Sequence, residues 1–191
     1  MKNFFKKMLW WAPAILPVAL VLITGFSVVS TPTASMEPTI QSGRLGDITL
    51  ATRPFSDIQV GDIVMVDTSH DKNWNEAYGG ADALKRVVAV SGDTISTDPN
   101  TGELLVNGEV SPSEWVGSTF PFIPGTIDCQ STPRSKQCVP EFTIPDGQLL
   151  LLGDNRAESM DSLYGCHGEE NPDSCLGTFP TAGVKKRVFW H

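Results

Sequence analysis

The sequence predicts a mainly β domain held at a membrane by one N-terminal helix. Three observations predict it. Leu9 to Val29 holds no charged residue and is dominated by Leu, Val, Ile, Ala, Trp and Phe. Beyond it, short β-branched runs lie between glycines and prolines, the pattern of strands closed by turns. No long window after residue 30 repeats its apolar residues at a helical period.

The N-terminal segment is taken first. Residues 1–7 are short and basic, with Lys2, Lys6 and Lys7, and are expected to stay cytoplasmic. Residues 8–30 are the expected transmembrane anchor. At about 1.5 Å per residue, some 21 residues cover about 30 Å, the thickness of a hydrocarbon core. Pro13 and Pro17 fall near its start, where membrane helices tolerate them. A cleaved secretory signal is the competing reading, but the run is long for one and Pro32 and Ala34 make a poor cleavage site. Residues 31–191 then form an extracytoplasmic domain at the plasma membrane, of a size that supports one core.

Along that domain, strands are expected at 47–51, 62–66, 85–90, 103–106, 149–152 and 184–190. Asn107-Gly108 follows the fourth run and marks a hairpin. Residues 67–82, rich in Asp, Asn and Gly, read as an exposed loop. Residues 97–142, with many turn residues and two cysteines, read as an inserted cap subdomain.

Charge limits the partners. The chain carries −8 overall, and every base before residue 31 is one of Lys2, Lys6 and Lys7. The exterior is therefore strongly acidic and should repel nucleic acid. The four cysteines are Cys129, Cys138, Cys166 and Cys175. Three pairings are open. Local pairs, 129 with 138 and 166 with 175, are the expectation, each closing a short loop worth about 2–3 kcal/mol in an oxidising compartment. Zinc, with His167 beside Cys166, is the competitor. The absence of any C-x-x-C spacing speaks against it, so no metal and no cofactor are expected.

The chemistry rests on a serine and a lysine. Ser35 sits in Ser35-Met36-Glu37-Pro38-Thr39, five residues beyond the apolar run. A serine hydroxyl is a weak nucleophile without an adjacent base. His70, His167 and His191 have no neighbours suited to a Ser/His/Asp triad. Leu84-Lys85-Arg86-Val87-Val88 offers another base. Arginine does not give up its proton in proteins, so the acceptor must be Lys85. Acting as a base at neutral pH requires burial to depress its pKa by about 2–3 units. Taken alone, Ser35 could be spacer and Lys85 a surface residue. A third stretch, Gly153 to Ser162, is a polar loop directly after an apolar strand, where functional groups collect and where an Asx-rich turn would look the same.

Together these stretches resemble bacterial type I signal peptidases (leader peptidases). Ser35-Met36-Glu37-Pro38-Thr39 resembles the nucleophile box, Gly61-Asp62-Ile63-Val64 the next strand box, Lys85 to Asp93 the lysine box, and Gly153-Asp154-Asn155-Arg156 through Ser162 the last box. The resemblance implies a β-sheet catalytic core with a small inserted β cap, matching 97–142. It implies a Ser35 nucleophile and a neutral Lys85 general base. The Ser35 N–H and the Thr33 hydroxyl would bind the oxyanion. Ser159 would orient Lys85, and Asp154, Asp161 and Ser162 would support the site. The implied substrates are the signal peptides of preproteins, with small residues at the first and third positions before the cut, met at the lipid bilayer. The enzyme is expected to act as a monomer. A pilin-maturing peptidase of the same family, or a non-catalytic disulfide-stapled binding domain, are the alternatives.

Two positions depart from the family pattern. Ser91 stands where proline is usual, which is expected to loosen that turn. Leu163 stands where arginine usually pairs with the aspartate. Asp161 is then expected to take a base near Lys185–Arg187, with the 166–175 stretch bracing the loop.

Overall fold

The computed structural model describes residues 27–29, 31–43, 49–52, 57–98, 100–101, 103–111, 141–164 and 176–190. Residues 8–26 of the expected anchor and all four cysteines lie outside the described residues. Among the described residues, no helix is long and apolar enough to cross a membrane.

Two antiparallel sheets make the fold. The larger has seven strands in the order β1-β2-β11-β3-β4-β9-β10. These are β1 (Ser27–Val29), β2 (Thr49–Thr52), β3 (Ile63–Asp67), β4 (Asp82–Val90), β9 (Gln148–Leu152), β10 (Phe179–Pro180) and β11 (Val184–Trp190). The smaller sheet has the order β7-β6-β5-β8, from β5 (Thr94–Thr97), β6 (Leu104–Val106), β7 (Glu109–Val110) and β8 (Glu141–Thr143). Its strands lie toward the two ends of the expected cap at 97–142, and residues 112–140 between them lie outside the described residues. Asn107 and Gly108 turn β6 into β7 with φ of 54° and 81°, the left-handed pair that a two-residue hairpin of this twist requires.

Strand β4 is the spine. It pairs with β3, Val64 opposite Lys85, and with β9, Arg86 opposite Leu152. Its register with β9 shifts between Val87 and Ala89. Val87 accordingly packs with Leu149, Leu151 and Phe179, while Val88 and Ala89 pack with Leu150, Leu152, Ile95 and Ile144. One strand thus feeds three apolar clusters, Leu84 entering the third with Met36 and Ile63, and joins the smaller sheet to the larger.

Two sequence expectations are corrected here. Ser27–Val29, read as the end of the anchor, form strand β1 and pair with β2, Val28 opposite Leu50. Apolar β-branched residues fit a sheet edge as well as a bilayer, and composition alone does not separate the two. The expected exposed loop at 67–82 contains helix α1 (Lys72–Tyr78). Asp71 caps it by accepting from the N–H groups of Asn73 and Trp74. Gly79, at φ 60°, ends it. Trp74 is fully buried, stacked on Tyr78 and edge-on to Phe179. Its indole N–H donates to the Gly177 carbonyl at 3.3 Å.

Candidate active site

The Ser35 loop is pinned by the residue beside the serine. Ala34–Met36 form a 3-10 turn. Met36 is fully buried with Ile40, Ala51, Ile63, Leu84 and Val188. Glu37 closes the following turn by accepting from the Ser42 N–H at 3.0 Å and the Ser42 hydroxyl at 2.7 Å. Ser35 is itself buried, and its carbonyl accepts from the Asn155 N–H at 3.0 Å. The loop after β9 therefore docks directly on the Ser35 loop.

Lys85 reaches the same point from β4. Its Nζ lies 3.0 Å from Ser35 Oγ, and the side chain is 1% exposed. Burial is the largest influence on the amine and brings its pKa from 10.5 down to about 8. Asp161 and Asp154 oppose that shift, and Arg156 reinforces it. Thr33 Oγ1 lies 3.2 Å from Ser35 Oγ. The Thr33 N–H in turn donates to Thr31 Oγ1 at 3.3 Å. The structure thus brings Thr33, Ser35 and Lys85 into one chain of polar contacts.

The last loop is held by two buried ion pairs. Arg86 grips Asp154 through Nε at 2.8 Å and Nη2 at 2.6 Å, a two-point contact. It also donates to the Gly61 carbonyl at 2.9 Å. Arg156 pairs with Asp161, which accepts as well from the N–H groups of Gly153 and Leu163 at 3.0 and 3.1 Å. Ser162 continues the β9 ladder, its hydroxyl accepting from the Leu151 N–H at 2.9 Å.

Three expectations change. Ser159 is buried, and its hydroxyl makes no hydrogen bond among the described residues, to Lys85 or to any other group. It lies over Gly153 instead, 2.2 Å from where a Cβ would stand. Asp161 takes Arg156 rather than a base at 185–187. Lys185 pairs with Asp82 and Asp67, Lys186 with Ser27, and Arg187 with Asp62. Leu163 is buried in the cluster of Val88, Ile95 and Leu150, so the site that could hold arginine is apolar. Ser91 does not loosen its turn. Its hydroxyl accepts from the Gly147 N–H at 2.9 Å and donates to the Gln148 carbonyl at 3.3 Å.

Sequence reasoning used Arg86 only to exclude it as a base and gave Arg156 no role. Tyr78 went unnoticed, although Asp71 and Gly79, spaced for a cap and a stop, signal its helix.

The family model described as "Signal peptidase, peptidase S26" matches residues 4–190. The chain belongs to the signal peptidase family. It is similar to the probable signal peptidase I of Mycobacterium leprae (strain TN), at 29% identity over 94% of this chain and 72% of that one. It is also similar to signal peptidase I of Pseudomonas aeruginosa, at 26% identity over 98% and 69%. Signal peptidase IB of Staphylococcus aureus matches at 26% over 82% and 80%. Membership in the signal peptidase family makes the chain a peptide-bond hydrolase of the signal peptidase I type.

Proposed function

We propose that the chain is a membrane-anchored serine endopeptidase that removes signal peptides from exported preproteins through a Ser35–Lys85 dyad. The 3.0 Å approach of a buried amine to a buried hydroxyl carries this reading. Uncharged, Lys85 Nζ accepts the Ser35 proton as Oγ attacks the scissile carbonyl. The Ser35 N–H and the Thr33 hydroxyl face the developing oxyanion. Lys85 then returns the proton to the leaving amine, and water hydrolyses the acyl-serine with Lys85 again as base. Asp154, Asp161 and Ser162 support the site by holding the last loop against the nucleophile turn. A non-catalytic binding domain would gain nothing from a lysine held dry beside a serine.

The anchor in this reading ends before β1. Leu9 to Phe26 leaves 18 residues, about 27 Å of helix, which is still enough to span. Lys2, Lys6 and Lys7 stay cytoplasmic, and the exit of the anchor runs into the edge strand that leads to Ser35. An extended preprotein segment adds to a strand beside the dyad, with small residues at the first and third positions before the cut.

The test is cleavage of a preprotein in detergent, with the new N-terminus of the product sequenced. Ser35→Ala and Lys85→Ala each abolish cleavage and keep the circular dichroism of the parent. Lys85→Arg is equally inactive, because a guanidinium does not become neutral. Cleavage retained in any of the three removes the dyad.

A further inference from the structure

The ring of Tyr78 stands 5.8 Å from Lys85 Nζ, measured to its centroid. Tyr78 comes from the last turn of α1, in the segment between β3 and β4. Three contacts fix that segment. Asp71 caps the helix, Trp74 is buried in the β-sheet core, and the Thr68 hydroxyl donates to the Ala81 carbonyl at 2.8 Å. The Tyr78 hydroxyl donates to the carbonyl of Met160, between Ser159 and Asp161. Burial, then the Asp161 charge, holds that hydroxyl's pKa well above its ordinary value, so it remains a donor wherever the enzyme works.

We infer that Tyr78 is a positioning residue for the reaction, its ring walling the Lys85 amine from water. The inference rests on the Ser35–Lys85 reading. The groups that act on the amine are Asp161, Arg156 and Asp154 from the last loop, Ser35 from the nucleophile turn, and Tyr78 from α1. Arg86, adjacent on β4, is engaged with Asp154. A ring near 6 Å favours the charged amine only weakly. The water it excludes would favour that form more strongly, because burial is the largest influence on this amine. Opening the wall therefore makes Lys85 harder to deprotonate.

The experiment is kcat/KM against pH for preprotein cleavage, with the parent, Tyr78→Leu and Tyr78→Phe in parallel. Tyr78→Leu is expected to move the rising limb up by about one pH unit. Its kcat/KM at pH 7 falls about tenfold, and its high-pH plateau stays near the parent's. Tyr78→Phe keeps the wall and leaves the limb in place. If Tyr78→Leu does not fold, Tyr78→Met takes its arm, with a smaller movement in the same direction. A folded Leu or Met variant whose limb stays at the parent's pH overturns the inference, since a merely structural loss lowers the rate equally at all pH values. So does a limb displaced equally by Tyr78→Phe. Ser35→Ala and Lys85→Ala run alongside. If either cleaves, the dyad reading fails. If both are inactive while the limb of the Leu variant is unmoved, only the role of Tyr78 fails.

Discussion

Lys85 Nζ and Ser35 Oγ lie 3.0 Å apart although the residues are fifty positions apart in sequence. Neither side chain is free to drift. Ser35 is fixed by the burial of Met36 and by Asn155 on its carbonyl, and Lys85 by its place in the middle of β4. The predictions below follow from what that relationship costs and what maintains it.

The rate should rise with pH through about 8. An amine of that pKa is neutral in about a tenth of molecules at pH 7 and in most of them by pH 9. Preprotein kcat/KM measured from pH 6 to 10 checks this. A limb at the ordinary pKa of lysine would mean that the amine is solvated in the working enzyme.

Lys85→Met should be inactive and more stable. The folded amine prefers to be neutral, whereas the unfolded one holds its proton up to about 10.5. Below pH 8 the fold must bury a charge, which costs about 3 kcal/mol. Between about 8 and 10.5 the unfolded state binds more protons, so parent stability from this group rises with pH. The advantage of Lys85→Met in urea unfolding is therefore largest at pH 7 and fades toward pH 10.5. A variant less stable than the parent at pH 7 would contradict the burial cost.

Gly153→Ala should cripple the enzyme. A Cβ there would stand 2.2 Å from Ser159 Oγ and 2.4 Å from the Ser35 carbonyl oxygen. Ser159 could turn its hydroxyl away but not its Cβ, which would stand 2.6 Å off, and the Ser35 backbone could yield only by displacing the serine. A shift of about 1 Å is expected to lower kcat/KM about a hundredfold. Activity within threefold of the parent would show that the last loop does not set the position of Ser35.

Restoring the usual arginine should fail. Leu163→Arg places a charge in the cluster of Val88, Ile95 and Leu150 and is expected to destabilise the domain by about 3 kcal/mol or more. Arg156→Met leaves Asp161 buried without its cation, at about 3–5 kcal/mol. Denaturant midpoints of the two variants check both. A neutral Leu163→Arg would mean that residue 163 can turn to reach Asp161.

The strands at 62–66, 149–152 and 184–190 were legible because alternation and bounding turn residues are local properties of a chain. The serine and the lysine were singled out together by the four boxes that resemble the family, since either one taken alone reads equally well as spacer or surface. Helix α1 was not, because seven residues make fewer than two turns and carry no readable period. The expected anchor was carried too far because Ser27–Val29 suit a sheet edge and a bilayer equally.

The sequence by itself determined strands β2, β3, β4, β6, β9 and β11 and the order of the motifs, since each depends on residue identity over a few positions, and it named the candidate dyad. Only the tertiary structure decided that Asp161 takes Arg156, that Ser159 lies over Gly153 with its hydroxyl unbonded, and that Tyr78 stands over the amine. Those contacts depend on which loops meet across the sheet. Burial then selects among partners that are chemically equivalent when read along the chain.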